Sequence, residues 1–192
     1  MKSILSIARG FLPWILFAVL AGPTLSRLSL ALEVAFGASI VFGFRELRKG
    51  FILIWGSLIF FGVCIVAVAL LKNIWFAENM SILANGALAL ITWTSIAVGK
   101  PFVLQYAHEK ASPEQWDTPL FHRICRDIST IWGLIFTVSA ILNIFTPHHE
   151  TIALIYPFWL AVSMVFGMFF NGWYPKFVKG RLQKGQPEAN PG

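Results

Sequence analysis

The stretch FILIWGSLIFFGVCIVAVALL, Phe51–Leu71, is 21 residues long and carries no charged side chain. As a helix it rises about 32 Å, enough to cross a hydrocarbon core of ~30 Å with every backbone polar group bonded inside the segment. Four more stretches read the same way: Leu25–Phe44, Met80–Val98, Ile128–Phe145 and Ile152–Phe170. Only Leu25–Phe44 contains charge, as Arg27 and Glu33. The fold class is therefore all-α, a polytopic helical membrane protein with five clear transmembrane helices.

A shorter apolar stretch, Phe11–Ala21, rises only about 16 Å and contains Pro13. Three readings stay open. It can be a sixth crossing that recruits Ile4–Gly10 while Arg9 snorkels to the surface, a re-entrant segment, or a cleaved signal ending at Val19-Leu20-Ala21. If it crosses, one side receives Lys2, Arg9, Arg45, Arg48, Lys49, Lys100, Lys110, Arg123, Arg126, Lys176, Lys179, Arg181 and Lys184. That is thirteen of fifteen basic residues, leaving Arg27 and Lys72 opposite. The positive-inside rule makes the richer side the cytoplasm and puts the C-terminus there.

Of 192 residues, 57% are hydrophobic and 12% charged, which leaves one helical membrane domain, 1–175, and no room for a second. The net charge of +6 does not point to nucleic acid, because the basic residues flank apolar spans instead of sharing one solvated face. The lipid bilayer is the partner it implies. The basic tail, 176–192, is too polar to bury and is expected to be disordered. Within the cytoplasmic loop 99–127, Phe102, Val103 and Tyr106 share a helical face opposite Gln105, His108 and Glu109, as in a short helix lying on the leaflet. Thr118-Pro119 then starts a helix that runs into the fifth span. Cys64 lies in mid-membrane and Cys125 in the loop, so they are expected to serve as small apolar side chains.

Glu33 is the acidic residue inside a span. A charge there costs roughly 2.5–3.5 kcal/mol on insertion scales, so Glu33 is expected to face the protein interior, hydrogen-bonded or protonated. On the same helix Ala31, Ala35, Ser39 and Gly43 form a small-residue stripe for close helix packing, which suggests a central position in the bundle. Asn85, Thr92, Thr94 and Ser95 in the fourth span, and Ser139 and Asn143 in the fifth, are expected to bond between helices; lining a solute path is the alternative. Trp14, Trp75, Trp159, Trp173, Tyr156 and Tyr174 fall near span ends, as interfacial anchors do. His108, Glu109, Glu114, Asp117, His122, Cys125 and Asp127 match no metal-ligand or catalytic spacing, and there is no P-loop, nucleophile elbow or dinucleotide turn. No catalytic residue, cofactor or metal is expected.

Trp132-Gly-Leu-Ile-Phe136, continuing through Ser139 to Asn143-Ile144-Phe145, resembles the penultimate helix of the bacterial intracellular septation protein A family. Phe11-Leu12-Pro13, the basic cluster Arg45 to Lys49, and Lys100-Pro101 agree with it; Cys125, Ser129 and the sequence after Pro101 depart from its pattern. The resemblance implies a multi-pass protein of the bacterial inner membrane with no catalytic residues. It would be linked to septation and envelope maintenance through contacts with membrane-protein partners or with copies of itself. The competing reading is a small transporter or channel that uses Glu33.

Overall fold

The computed structural model describes residues 2–109 and 111–184, and all regular structure among them is helical. Helix α1 is Lys2–Leu20, α2 Leu25–Arg48 and α3 Ile52–Ile65, the last running on through a π turn, Val66–Leu70. A short α4, Ile74–Glu78, leads into α5, Met80–Ala97. Then come α6, Phe102–His108, and α7, Pro113–Trp116, followed by α8, Pro119–Phe145, and α9, Glu150–Lys184. Five segments are long and apolar enough to cross a membrane: α2, α3 with its π turn, α5, α8 and α9.

The connections follow from local chemistry. Thr24, Asn73 and Thr118 each accept a backbone N–H of the following helix, which satisfies one of its orphan donors. Gly50 and Gly99 close α2 and α5 at φ +73° and +72°, a region that glycine enters without strain.

Two groups of helices result. Helix α2 packs against α1 and α3, while α8 packs against α5, α9 and α6. An aromatic cluster joins the groups, with Phe11 of α1 placed 5.1 Å from Trp132, 5.9 Å from Phe136 and 6.0 Å from Phe102, ring centre to ring centre. Lys49 pairs with Glu109, Phe51 meets Tyr106 edge-on, and Tyr174 donates to Asp127 at 2.7 Å. These contacts gather the α2–α3 turn, α6, the start of α8 and the later turns of α9 at one end, here termed the basic end.

Helix α1 is continuous through Pro13, and Phe11, Trp14 and Phe17 are core residues. Three sequence expectations are corrected. First, α6 does not lie on a leaflet surface: Phe102, Val103, Leu104 and Tyr106 are all buried under α1, α5 and α8. Second, 176–184 is helical, because Trp173 and Phe177 stack at 4.7 Å and the Arg181 guanidinium sits 5.1 Å over Phe177, where cations also favour the end of a helix. The rest of the tail, 185–192, lies outside the described residues. Third, Trp14 is no interfacial anchor, for it is buried, donates to Ser57 Oγ at 2.7 Å and stacks on Phe60.

Candidate functional site

Helix α1 shadows the first part of α3: Gly10 lies beside Leu53, Trp14 bonds to Ser57 and Phe17 packs on Phe61. Beyond that level α1 stops after three residues, at Leu20, whereas α3 and its π turn continue for nine, to Leu70. The shortfall of about 9 Å leaves the far end of the bundle unfilled. A cavity of about 620 Å³ lies there, bounded by α1, α5, α8 and α9. Its deep wall is apolar, with Phe11, Trp14, Leu88, Met164 and Met168, and its outer rim carries Gly22, Glu78 and Ser81.

One polar knot faces this space. Asn85 of α5 donates to the Ser81 carbonyl at 2.9 Å and to the Tyr156 hydroxyl at 3.2 Å. Asn143 of α8 donates to the Ser139 carbonyl at 3.0 Å and to the same hydroxyl at 2.6 Å. A carbonyl can only accept, so both amides are oriented with NH2 toward it and toward Tyr156. The Tyr156 oxygen thus receives two N–H groups, and its own O–H has no acceptor among the described residues. One turn deeper, Trp159 Nε1 donates to Ser139 Oγ at 3.0 Å. Trp132, which lines the cavity, buries an Nε1 that also has no partner among the described residues. Asn85 and Asn143 bond between helices as their sequence positions lead one to expect, whereas Tyr156 and Trp159, expected as surface anchors, turn inward to meet them and Ser139. Two amides on neighbouring spans, each needing an oxygen, were the available signal.

At the basic end a second cavity of about 600 Å³ is lined by Lys49, Lys100, Gln105, His108, Glu109 and His122, among others. Helix α6 is pinned above it. Its first N–H groups have no intrahelical acceptors, and two serines supply them: Ser95 Oγ accepts from Phe102 at 3.0 Å and Ser129 Oγ from Val103 at 3.4 Å. Gln105 Oε1 in return accepts from Ile52 N at 2.9 Å, tying α6 to the start of α3. His108 sits between Trp116 and Phe121, and burial, with the neighbouring His122 charge, pushes its pKa below the ordinary value. Pro101 is buried beside this helix while Lys100 is exposed. Among the described residues no three His, Cys, Asp or Glu side chains come together as metal ligands, and Cys64 and Cys125 are buried free thiols.

Glu33 is elsewhere. The stripe Ala31, Ala35, Ser39 and Gly43 is buried against α1 and α3, with Ile54 beside Gly43, and this turns Glu33 to the outside of α2 with Leu30, Val34, Ile40 and Val41. The expected interior partner is corrected: Glu33 makes no hydrogen bond or ion pair among the described residues, and it lines neither cavity. Helix α2 is peripheral, one face packed and one open. One turn along the open face, a side chain built at Gly37 would meet nothing within 4 Å.

Of the residues that carry the family resemblance, Pro13, Trp132 and Phe136 are fully buried, Trp132 stacks on Phe136 at 5.6 Å, and Asn143 belongs to the polar knot. Comparison with protein-family models, curated proteins and solved structures finds nothing that matches this chain.

Proposed function

We propose that this chain is a non-enzymatic protein of the bacterial inner membrane, with its basic end in the cytoplasm, that docks a helix of another membrane protein against the open face of α2. We place its role in the cell envelope, with septation as the process it serves. The observation that carries the reading is Glu33, an ionisable side chain within a span, outside the packed bundle and without a partner among the described residues. Leaving it in lipid costs roughly 2.5–3.5 kcal/mol, whereas an interhelical hydrogen bond in a bilayer returns ~0.6 kcal/mol on average. The gain on docking therefore comes chiefly from taking the carboxyl out of lipid, and the bond selects the partner.

Gly37 supports the same face, because a glycine one turn from Glu33 lets a second backbone approach closely. A partner with a side-chain donor at that depth fits better than a second copy. A twofold axis normal to the membrane would set Glu33 against Glu33, and two ionised carboxylates there repel and offer each other no donor. The resemblance to the septation family supports the choice of process, and division or wall-synthesis proteins are the partner class.

The test is complementation of a strain lacking the gene. Glu33→Gln, which keeps an acceptor oxygen, should restore normal septation and envelope integrity; Glu33→Leu should not, although it reaches the same level in the membrane. Full rescue by Glu33→Leu contradicts the proposal.

A further inference from the structure

The far-end cavity carries an inference independent of the α2 face. Its inner wall is apolar, the polar knot ends in a hydroxyl proton with no acceptor among the described residues, and its rim bears opposite charges. Glu78 lines the opening, and the Arg27 side chain leans over Gly22 of the same rim, its Cδ within 2.8 Å of where a side chain on Gly22 would begin. Neither charge is in an ion pair among the described residues.

Depth matters as much as chemistry. Asn143 is two residues from the end of α8 and Tyr156 six residues into α9, so the knot lies about 3–9 Å below the far ends of these helices, near the level of lipid ester groups. We propose that the cavity holds one acyl chain of a zwitterionic, phosphatidylethanolamine-type glycerophospholipid from the far leaflet. The chain lies against Phe11, Leu88, Met164 and Met168, and an ester carbonyl accepts the Tyr156 O–H. The headgroup phosphate meets Arg27 and its ammonium meets Glu78. A volume of about 620 Å³ is within the range of roughly 300–1,000 Å³ that small-molecule sites occupy. An anionic phosphatidylglycerol-type lipid would satisfy Arg27 and leave Glu78 without a cationic partner, and an isoprenoid hydrocarbon would leave the Tyr156 proton unbonded.

The experiment is native mass spectrometry of the full-length protein after detergent exchange into an equimolar mixture of phosphatidylethanolamine and phosphatidylglycerol. Wild type should retain one phosphatidylethanolamine, at least threefold over phosphatidylglycerol. Glu78→Gln should bring the ratio near unity and Arg27→Gln should lower the retention of both lipids, each a surface change that leaves the core intact and the melting midpoint unchanged. Met164→Trp, which fills the cavity, should lose the retained lipid. If that variant does not fold, the two rim variants decide. Retention in the proportions of the mixture, preference for phosphatidylglycerol, a preference unmoved by Glu78→Gln, or retention unmoved by Arg27→Gln overturns the assignment.

Discussion

A methyl group added at Gly167 would lie 2.9 Å from two carbons of the Trp132 indole, a ring held in turn by Phe11 and Phe136. One added at Gly37 would meet nothing within 4 Å. Overpacking a filled site costs typically ~1–3 kcal/mol. Gly167→Ala should therefore lower the midpoint of unfolding in detergent measurably while Gly37→Ala leaves it in place; equal midpoints would mean that α9 is not seated on Trp132. Sequence alone told that Glu33 sits inside a span and that four small residues share the other face. Which face meets protein was not legible, since a helix offers two faces and only its neighbours decide. The small stripe won, because close packing against α1 and α3 needs side chains no larger than those of Ala31, Ala35, Ser39 and Gly43.

The five long spans were legible because a bilayer demands twenty apolar residues in a row and leaves no shorter solution. The helix from Thr118-Pro119 through the fifth span was legible too, from its cap and its proline. The fate of α6 was not: its amphipathic pattern suits a leaflet surface and a protein interior equally, and the pins that decide are Ser95 and Ser129, residues distant in sequence. Ser95→Ala removes the acceptor for a buried Phe102 N–H, a loss of ~1–3 kcal/mol. It should raise hydrogen exchange across α6 and the following loop, and unchanged protection would refute the pin. The same element responds to acid. His108 has its pKa lowered from the ordinary 6.5, with burial the main cause, so its neutral form is the one that fits between Trp116 and Phe121. The undocked loop takes up a proton more readily, so this contribution to docking is complete above pH 6.5 and declines as pH falls below it. Protection of α6, taken relative to the intrinsic exchange rate at each pH, should fall between pH 7.5 and 5.5 in the wild type and much less in His108→Gln.

At the scale of the whole molecule, contacts bring the α2–α3 turn, α6 and the later turns of α9 to one end, and thirteen of fifteen basic residues belong to that side on the sequence count. Reporter fusions after Lys49 and Gln115 should be cytoplasmic and those after Lys72 and His149 external; an external signal after Gln115 would invert the threading. The central claim, that the open face of α2 receives a foreign helix through Glu33, has a direct test in native membranes. A photo-reactive benzoylphenylalanine is placed at Leu30 or Val41 on that face, and at Leu154 on α9 as a lipid-facing control. The expected result is a discrete protein adduct from Leu30 and Val41 and none from Leu154, kept in Glu33→Gln and reduced about tenfold in Glu33→Leu, the change that ~1.4 kcal/mol produces. Lipid adducts alone at all three positions, or a protein adduct indifferent to Glu33→Leu, would contradict the claim.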